Sequence, residues 1–281
     1  MAEILKGLPA ASAITEELIT RCNSLKSKGI MPTLAMLRVG ENQGDISYET
    51  GASKRCEKIG INVKKYILPK ESKKEKILNV INEINNDKNI HGCLMFRPLE
   101  DKDTELEACR LLLPEKDSDC MTSESLSGVF TGSDTGYPPC TAQACMELLK
   151  YYKIEISGKN VAVIGRSLVI GRPVSMMLMK ENATVTICHS KTQNLPSICR
   201  NADIIIAAIG RAGFVDKNFM SPGQVIIDVG INVNSEGKLC GDVNFSDAEG
   251  IVMAVTPVPG GVGAVTTAVL AKHVIESAEK L

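Results

Sequence analysis

Between residues 159 and 232 four apolar runs recur at regular intervals: "KNVAVIG" (159–165), "ATVTICHS" (183–190), "ADIIIAAIG" (202–210) and "GQVIIDVGIN" (223–232). Nearly unbroken Val, Ile and Ala over so few residues marks strands buried on both faces, the condition of a parallel sheet covered by helices. The first run passes through a glycine turn into "RPVSMMLMK" (172–180), which reads as a helix. Strand, turn and helix in that order predict a half-sheet of the nucleotide-binding type, whose ligands lie beyond the carboxyl ends of the strands. Gly165, His189, Gly210 and Gly230 each stand at such an end, so four loops converge on one crevice. The blander account makes them ordinary glycine turns of an α/β core. Four in phase favour a dinucleotide site.

The first half follows the same grammar. Residues 10–28 have helical periodicity, "TLAMLRVG" (33–40) is a buried strand, and 47–61 is helical up to Gly60. "NVKKYIL" (62–68) alternates as a strand, 73–87 is an amphipathic helix, and "IHGCLMFRPL" (90–99) is a further strand running into proline. Such alternation implies a second parallel sheet with helices on its faces. From 100 to 140 the pattern dissolves into turn-rich sequence, followed by a helix at 141–152; the tail 266–281 is a final helix.

Composition excludes several classes. The chain has 281 residues, room for two modest domains, and a formal charge of −1, which suits neither a nucleic-acid nor a membrane surface. No long apolar stretch and no signal-peptide opening are present, so the expected compartment is cytoplasmic. Ten scattered cysteines without a C-x-x-C, and three histidines far apart, predict reduced thiols and no metal site.

The glycine turn fits neither common phosphate fingerprint. Gly165 and Gly171 enclose five residues, where G-x-G-x-x-G has a middle glycine and a shorter span; Arg172-Pro173 stands where a P-loop has Lys-Ser or Lys-Thr. Backbone N–H groups at the start of the helix after Gly171 are expected to face an anion. NAD-binding folds carry Asp or Glu at the end of the second strand, to hold the ribose 2′-OH. Thr184 to Gln193 contains no acid; it offers His189, Ser190 and Lys191, with Arg166 in the turn. Cations and hydroxyls suit a 2′-phosphate that a carboxylate repels, so the cofactor expected is NADP. Lys191 is assigned no role.

Taken in order, "VIGRSLVIGRP", "ATVTICHSKT", "ADIIIAAIG", "GQVIIDVGIN", "GDV" (241–243) and "TPVPGGVG" (256–263) resemble the methylenetetrahydrofolate dehydrogenase/cyclohydrolase family. Looser echoes are "LRVG" (37–40), Tyr48, "PEKDSD" (114–119) and "PPCTA" (138–142). The resemblance implies an α/β fold of two domains: a parallel-sheet substrate domain (1–138 plus 265–281) and a Rossmann-like NADP domain (139–264), with a folate cleft between them and a homodimer formed through the nucleotide domain. It implies oxidation of 5,10-methylenetetrahydrofolate and, in bifunctional members, hydrolysis of the methenyl product to 10-formyltetrahydrofolate. Carried onto this sequence, Gly165, Arg166, Ser167 and Val169 would form the cofactor turn, and His189 and Ser190 would reach the adenosine phosphate. Ala208, Gly210, Gly230 and Ile231 would wall the nicotinamide side. Tyr48 and Asp119 would be the catalytic pair at the pterin, while Pro98, Leu99, Pro259, Gly260 and Gly261 would line the folate site, with a cis bond before Pro259.

The departures lie on the folate side. Ala52 stands where the family usually has its catalytic lysine, Phe96 where it has a glutamine, and Arg97 where a leucine follows; Asp45 and Cys120 replace a serine and a glycine. Hydride loss from the methylene bridge is driven by nitrogen lone pairs and needs chiefly alignment. Hydrolysis needs proton transfer, and losing a general acid–base typically costs ~10²–10⁴-fold. Lys54 is expected to point elsewhere, since two helical residues turn it ~200° from position 52. Arg97 would either restore positive charge or be a solvated charge at the cleft rim. The leading expectation is an NADP-dependent dehydrogenase with weak or lost cyclohydrolase activity; the alternatives are a fully bifunctional enzyme and a non-catalytic folate- or nucleotide-binding protein.

Overall fold

In the computed structural model, which describes residues 1–234 and 236–280, the chain divides into two compact units. One comprises Met1–Ser12 and Thr141–Thr266, the other Ala13–Cys140 and Thr267–Leu281. The α/β class, with parallel sheets and two domains, is as expected. The opening twelve residues, however, group with the nucleotide unit and not with the 1–138 segment. The cause is a two-residue strand, β1 (Glu3–Ile4), which pairs in parallel with a late strand of that unit. The other boundaries fall at 140/141 and 266/267, where 138/139 and 264/265 were expected.

After helix α1 (Gly7–Ser27), the second unit builds a three-stranded parallel sheet from β2 (Thr33–Val39), β3 (Asn62–Leu68) and β4 (Gly92–Met95), in the order β3-β2-β4. Helix α2 (Gln43–Ile59) links the first two strands. Asn42 caps it, accepting from Gly44 N at 2.8 Å, and Gly60 at φ 93° ends it in the left-handed conformation that favours glycine. Helix α3 (Lys74–Asn86) lays Ile77, Ile81 and Ile84 into a core with Leu37, Ile90, Cys93 and Met95. Its last carbonyls are held by buried Lys116, whose Nζ donates to the oxygens of Ile84, Asn85 and Asp87 at 2.7–2.9 Å.

The stretch expected to be turn-rich contains two helices, α4 (Lys102–Leu111) and α5 (Ser123–Thr131). Both begin at side-chain caps, Asp101 and Thr122. What they bury is small, Thr104 and Ala108 in α4, Ser125 and Gly128 in α5, so neither shows the large apolar stripe that betrays a helix in sequence.

The nucleotide unit follows α6 (Cys140–Tyr151). Its strands are β5 (Asn160–Ile164), β6 (Thr184–Cys188), β7 (Ile204–Ala207) and β8 (Val225–Asp228), with α7 (Gly171–Lys180) and α8 (Leu195–Arg200) between them. A short hairpin, β9 (Asn232–Val233) and β10 (Leu239–Cys240), precedes α9 (Phe245–Ile251) and β11 (Ala254–Val255); α10 (Thr266–Lys280) returns to the second unit. The six-stranded order is β1-β11-β8-β7-β5-β6, parallel throughout. Because β6 lies on one side of β5 and β7 on the other, the order reverses between β5 and β7, which is where doubly wound sheets open a ligand crevice. No helix among the described residues is long and apolar enough to cross a membrane.

Candidate active site

The reversal point is built from two loops in close approach. Gly165, at φ 134°, ends β5, and a Cβ on it would lie 2.2 Å from Ala208 O at the end of β7. Gly171, the first residue of α7, is equally confined: its Cβ would meet Gly165 O at 2.2 Å. Only glycine at both positions lets the turn fold back onto the helix start. Arg166, Ser167 and Val169 stand exposed on this turn, Ser167 Oγ accepting from Ile170 N at 3.1 Å. The row of free helix N–H groups expected here is depleted. Arg172 N donates to Ser167 O at 3.1 Å, and Pro173 has no N–H. An anion would instead meet exposed guanidinium groups, Arg166 and Arg172.

At the end of β6, His189 is half-buried and Ser190 exposed. His189 Nδ1 accepts from Lys191 N at 3.1 Å and His189 N donates to Thr192 Oγ1 at 2.9 Å, so the ring orientation is fixed from its own loop. Ala208 and Gly210 follow β7, and Gly230 and Ile231 follow β8, Ile231 with 74% of its surface exposed. The four strand ends carrying the expected cofactor residues are therefore adjacent in the sheet. Pro259, Gly260 and Gly261 form the turn after β11 in this same unit. Val258–Pro259 is cis, as expected, and Gly7 N donates to Gly260 O at 2.8 Å.

Two buried aspartates at this edge escaped the sequence reading, although "GDV" and "VIID" contain them. Asp228 and Asp242 accept backbone N–H groups from the loops after β7, β8 and β10. Burial pushes the Asp228 carboxyl up to about 6.

In the second unit, Tyr48 on α2 is half-buried and meets the ring of Phe96 edge-on, centroids 6.3 Å apart. Helix α2 is anchored by a buried carboxylate next to that tyrosine: Glu49 takes Arg38 Nε at 2.7 Å and Lys65 Nζ at 2.8 Å, from β2 and β3. Ala52 is fully buried and Lys54 exposed, as their angular separation requires. Asp119 Oδ1 accepts from Cys140 N at 2.8 Å; burial raises its carboxyl, against the Cys140 hydrogen bonds and the charge of Arg97.

A cavity of about 740 Å³ opens at the carboxyl ends of the three strands. Pro98 and Leu99 line it with Arg97, Asp45, Lys70 and Lys74, whereas Tyr48 and Asp119 are not among its walls. Lys70 and Lys74 are paired with Glu100 and Glu107. The Arg97–Pro98 bond is also cis, which the sequence reading did not anticipate. Among the described residues no group of three or more His, Cys, Asp or Glu is placed to hold a metal ion.

Comparison with known proteins agrees with this architecture. Residues 5–119 match the family described as "Tetrahydrofolate dehydrogenase/cyclohydrolase, catalytic domain", and residues 139–281 its "NAD(P)-binding domain". A bifunctional protein FolD from Carboxydothermus hydrogenoformans is 51% identical over the whole of this chain and 99% of its own. The crystal structure of the bifunctional FolD dehydrogenase/cyclohydrolase from Campylobacter jejuni superposes with a TM-score of 0.94 at 37% identity, covering 100% and 99% of the two chains. The Trypanosoma brucei FolD, solved with NADP cofactor and an inhibitor, gives 0.92 at 31% identity, covering 99% and 98%. These names favour an enzyme with both activities over the dehydrogenase with weak or lost cyclohydrolase activity suggested by Ala52 and Phe96. The chain belongs to the tetrahydrofolate dehydrogenase/cyclohydrolase family.

Proposed function

We propose that the chain oxidises 5,10-methylenetetrahydrofolate to the methenyl compound with NADP, and that it works as a homodimer. The observation that carries the cofactor choice is the end of β6, where His189 and Ser190 stand without a carboxylate, beside a turn carrying exposed Arg166. These residues fit a phosphorylated ribose and would leave the 2′-OH of NAD without its usual acceptor. The NADP-bound relative from Trypanosoma brucei supports the same choice. When bound, the cofactor would supply the hydride acceptor. Gly165, Arg166, Ser167, Val169, His189 and Ser190 would hold its phosphates and adenosine end, and Ala208, Gly210, Gly230 and Ile231 its nicotinamide half.

On the substrate side Tyr48 would offer a ring face and hydroxyl, and Asp119 a carboxylate held in place by Cys140 N. Pro98, Leu99, Pro259, Gly260 and Gly261 are proposed folate contacts. Hydride loss leaves a delocalised cation and asks the protein for alignment, which rigid strand ends supply. Hydrolysis asks for a proton carrier. With Ala52 fully buried and Phe96 apolar, neither position offers one, so we propose that this half-reaction is slow. The bifunctional reading, favoured by the relatives' names, requires another group to do that work.

One assay separates the readings: NADPH formation from methylenetetrahydrofolate, with the methenyl product followed in the same cuvette. Accumulating methenyl compound that clears no faster than in buffer supports a dehydrogenase. Rapid enzyme-dependent clearance establishes the bifunctional reading. If both ligands bind and neither reaction runs, the chain is a non-catalytic binder. Sedimentation of the purified chain tests the dimer.

A further inference from the structure

The loops expected to wall the nicotinamide meet on two buried carboxylates, beside main-chain bonds from Val229 N to Ala207 O at 2.9 Å and Gly213 N to Gly241 O at 3.1 Å. Asp242, with no exposed surface, accepts Ile209 N at 2.5 Å and Gly210 N at 3.0 Å on Oδ2, and Arg211 N at 2.8 Å and Asn232 Nδ2 at 2.9 Å on Oδ1. Asp228, 3% exposed, accepts Gly230 N at 2.9 Å and Asp242 N at 3.0 Å on Oδ1, and Val243 N at 2.9 Å on Oδ2. The loop after β7, the loop after β8 and the turn after β10 are thereby tied through one connected pair of side chains.

Two glycines make the approach possible. A Cβ on Gly230 would lie 2.4 Å from Asp242 Oδ1, and one on Gly241 would lie 1.8 Å from Asp228 Oδ2. Three successive N–H groups converging on one anion form the concavity that in other proteins receives a phosphate. Here residues 209–211 direct theirs at the chain's own Asp242, so this loop has no such donors left for a cofactor phosphate. It is left to shape a wall. Ile231 stands exposed on the facing loop, one residue before the Asn232 that closes the contact.

We propose that Asp242 and Asp228 are positioning residues for the cofactor, holding the loops 208–211 and 229–232 in the arrangement that receives the nicotinamide half without touching it. The proposal rests on the nucleotide reading given above and adds to it the part of the edge that carries no cofactor contact. Asp242 acts across two loops, through Asn232 on one side and three backbone donors on the other. Asp228 acts through Asp242, by fixing its backbone.

The test uses the full chain and fluorescence titration with NADPH. In Asp242→Asn one oxygen is replaced by an NH2 group that faces other donors, so two of the four contacts are lost whichever way the amide turns. Its Kd for NADPH should rise about tenfold, or about 1.4 kcal/mol. Its kcat at saturating NADP should fall as well, by about tenfold, because a loosened wall costs alignment of the nicotinamide. Asn232→Ala, which removes one donor and leaves both carboxylates, should raise Kd by about threefold. Adding Asn232→Asp to Asp242→Asn reverses the polarity of that contact and should recover part of the affinity, which a general loss of packing would not permit. Circular dichroism establishes that each variant is folded. A folded Asp242→Asn whose Kd for NADPH and kcat both match those of the unmodified chain overturns the proposal. Should Asp242→Asn not fold, an unchanged Kd in Asn232→Ala overturns it alone. If the unmodified chain binds neither NADPH nor NADP, the nucleotide reading fails and the proposal with it, a result distinct from any variant-specific one.

Discussion

Phe96 forms a T-shaped ring pair with Tyr48 where the family resemblance implies a side-chain amide, and Ala52 fills with a methyl the place of an amine. Both exchanges remove polar function from these positions, which bears on proton transfer more than on alignment. Ala52→Lys alone inserts a long cation at a fully buried position and should cost stability by overpacking, about 1–3 kcal/mol. Coupled to Phe96→Gln, which returns a hydrogen-bonding partner, it should raise the clearance rate of methenyltetrahydrofolate; a double variant that folds and clears no faster assigns the deficit to Arg97 or Cys120 instead. On the cofactor side, Arg166→Ala should lower kcat/KM for NADP by about tenfold or more and leave NAD within about threefold, since an unpaired phosphate loses a charge-assisted contact. Equal losses with both cofactors would remove Arg166 from the 2′-phosphate. Residue identities of this kind were readable in the sequence. That Arg172 N is already taken by Ser167 O was not, because a backbone donor's direction has no residue type attached to it.

Helix α2 carries Tyr48, and what fixes it to the sheet is Glu49 between Arg38 and Lys65. Burial pushes the Glu49 carboxyl up, but the hydrogen bonds and charges of Lys65 and Arg38 outweigh it, and the group lies below the ordinary value of 4.5. Stability linked to a depressed carboxylate is present above that ordinary value and is lost as pH falls through the folded one. Glu49→Gln should therefore be less stable than the unmodified chain at pH 7, and the gap should narrow in acid. Urea titrations at neutral and acid pH check it; a gap independent of pH would mean that shape and not charge holds the helix. At this scale, legibility followed the size of the buried side chains. Helix α3 shows Ile77, Ile81 and Ile84 at helical spacing and was plain in the sequence. Helices α4 and α5 bury only small residues, and their caps, Asp101 and Thr122, read equally well as turn residues.

The whole molecule differs from its sequence reading most at its start. Nothing in "AEIL" announces a strand, because two residues have no periodicity and their pairing is supplied by β11, some 250 positions further along. Main-chain bonds from Ala2 N to Glu249 O, Glu3 N to Met253 O, Leu5 N to Val255 O and Gly7 N to Gly260 O, all 2.8–2.9 Å, tie the opening residues to the nucleotide unit. The chain then leaves that unit within α1, returns at 141 and leaves again at 266, so neither unit is continuous in sequence. An opening segment that completes the edge of the six-stranded sheet should stabilise residues 254–260 and have little direct effect on the β2–β3–β4 sheet. Leu5 is the side chain to test, being fully buried. Leu5→Ala should cost about 2–4 kcal/mol by leaving a cavity, a fall in Tm of roughly 4–16 °C for a chain of this size. Hydrogen exchange locates the loss. Amides of Leu5, Thr256 and Gly7 should exchange faster in the variant, while those of Leu34 to Leu37 in β2 keep their protection. If protection is lost first in β2, the opening segment belongs energetically to the other unit, and the boundary at 12/13 is wrong.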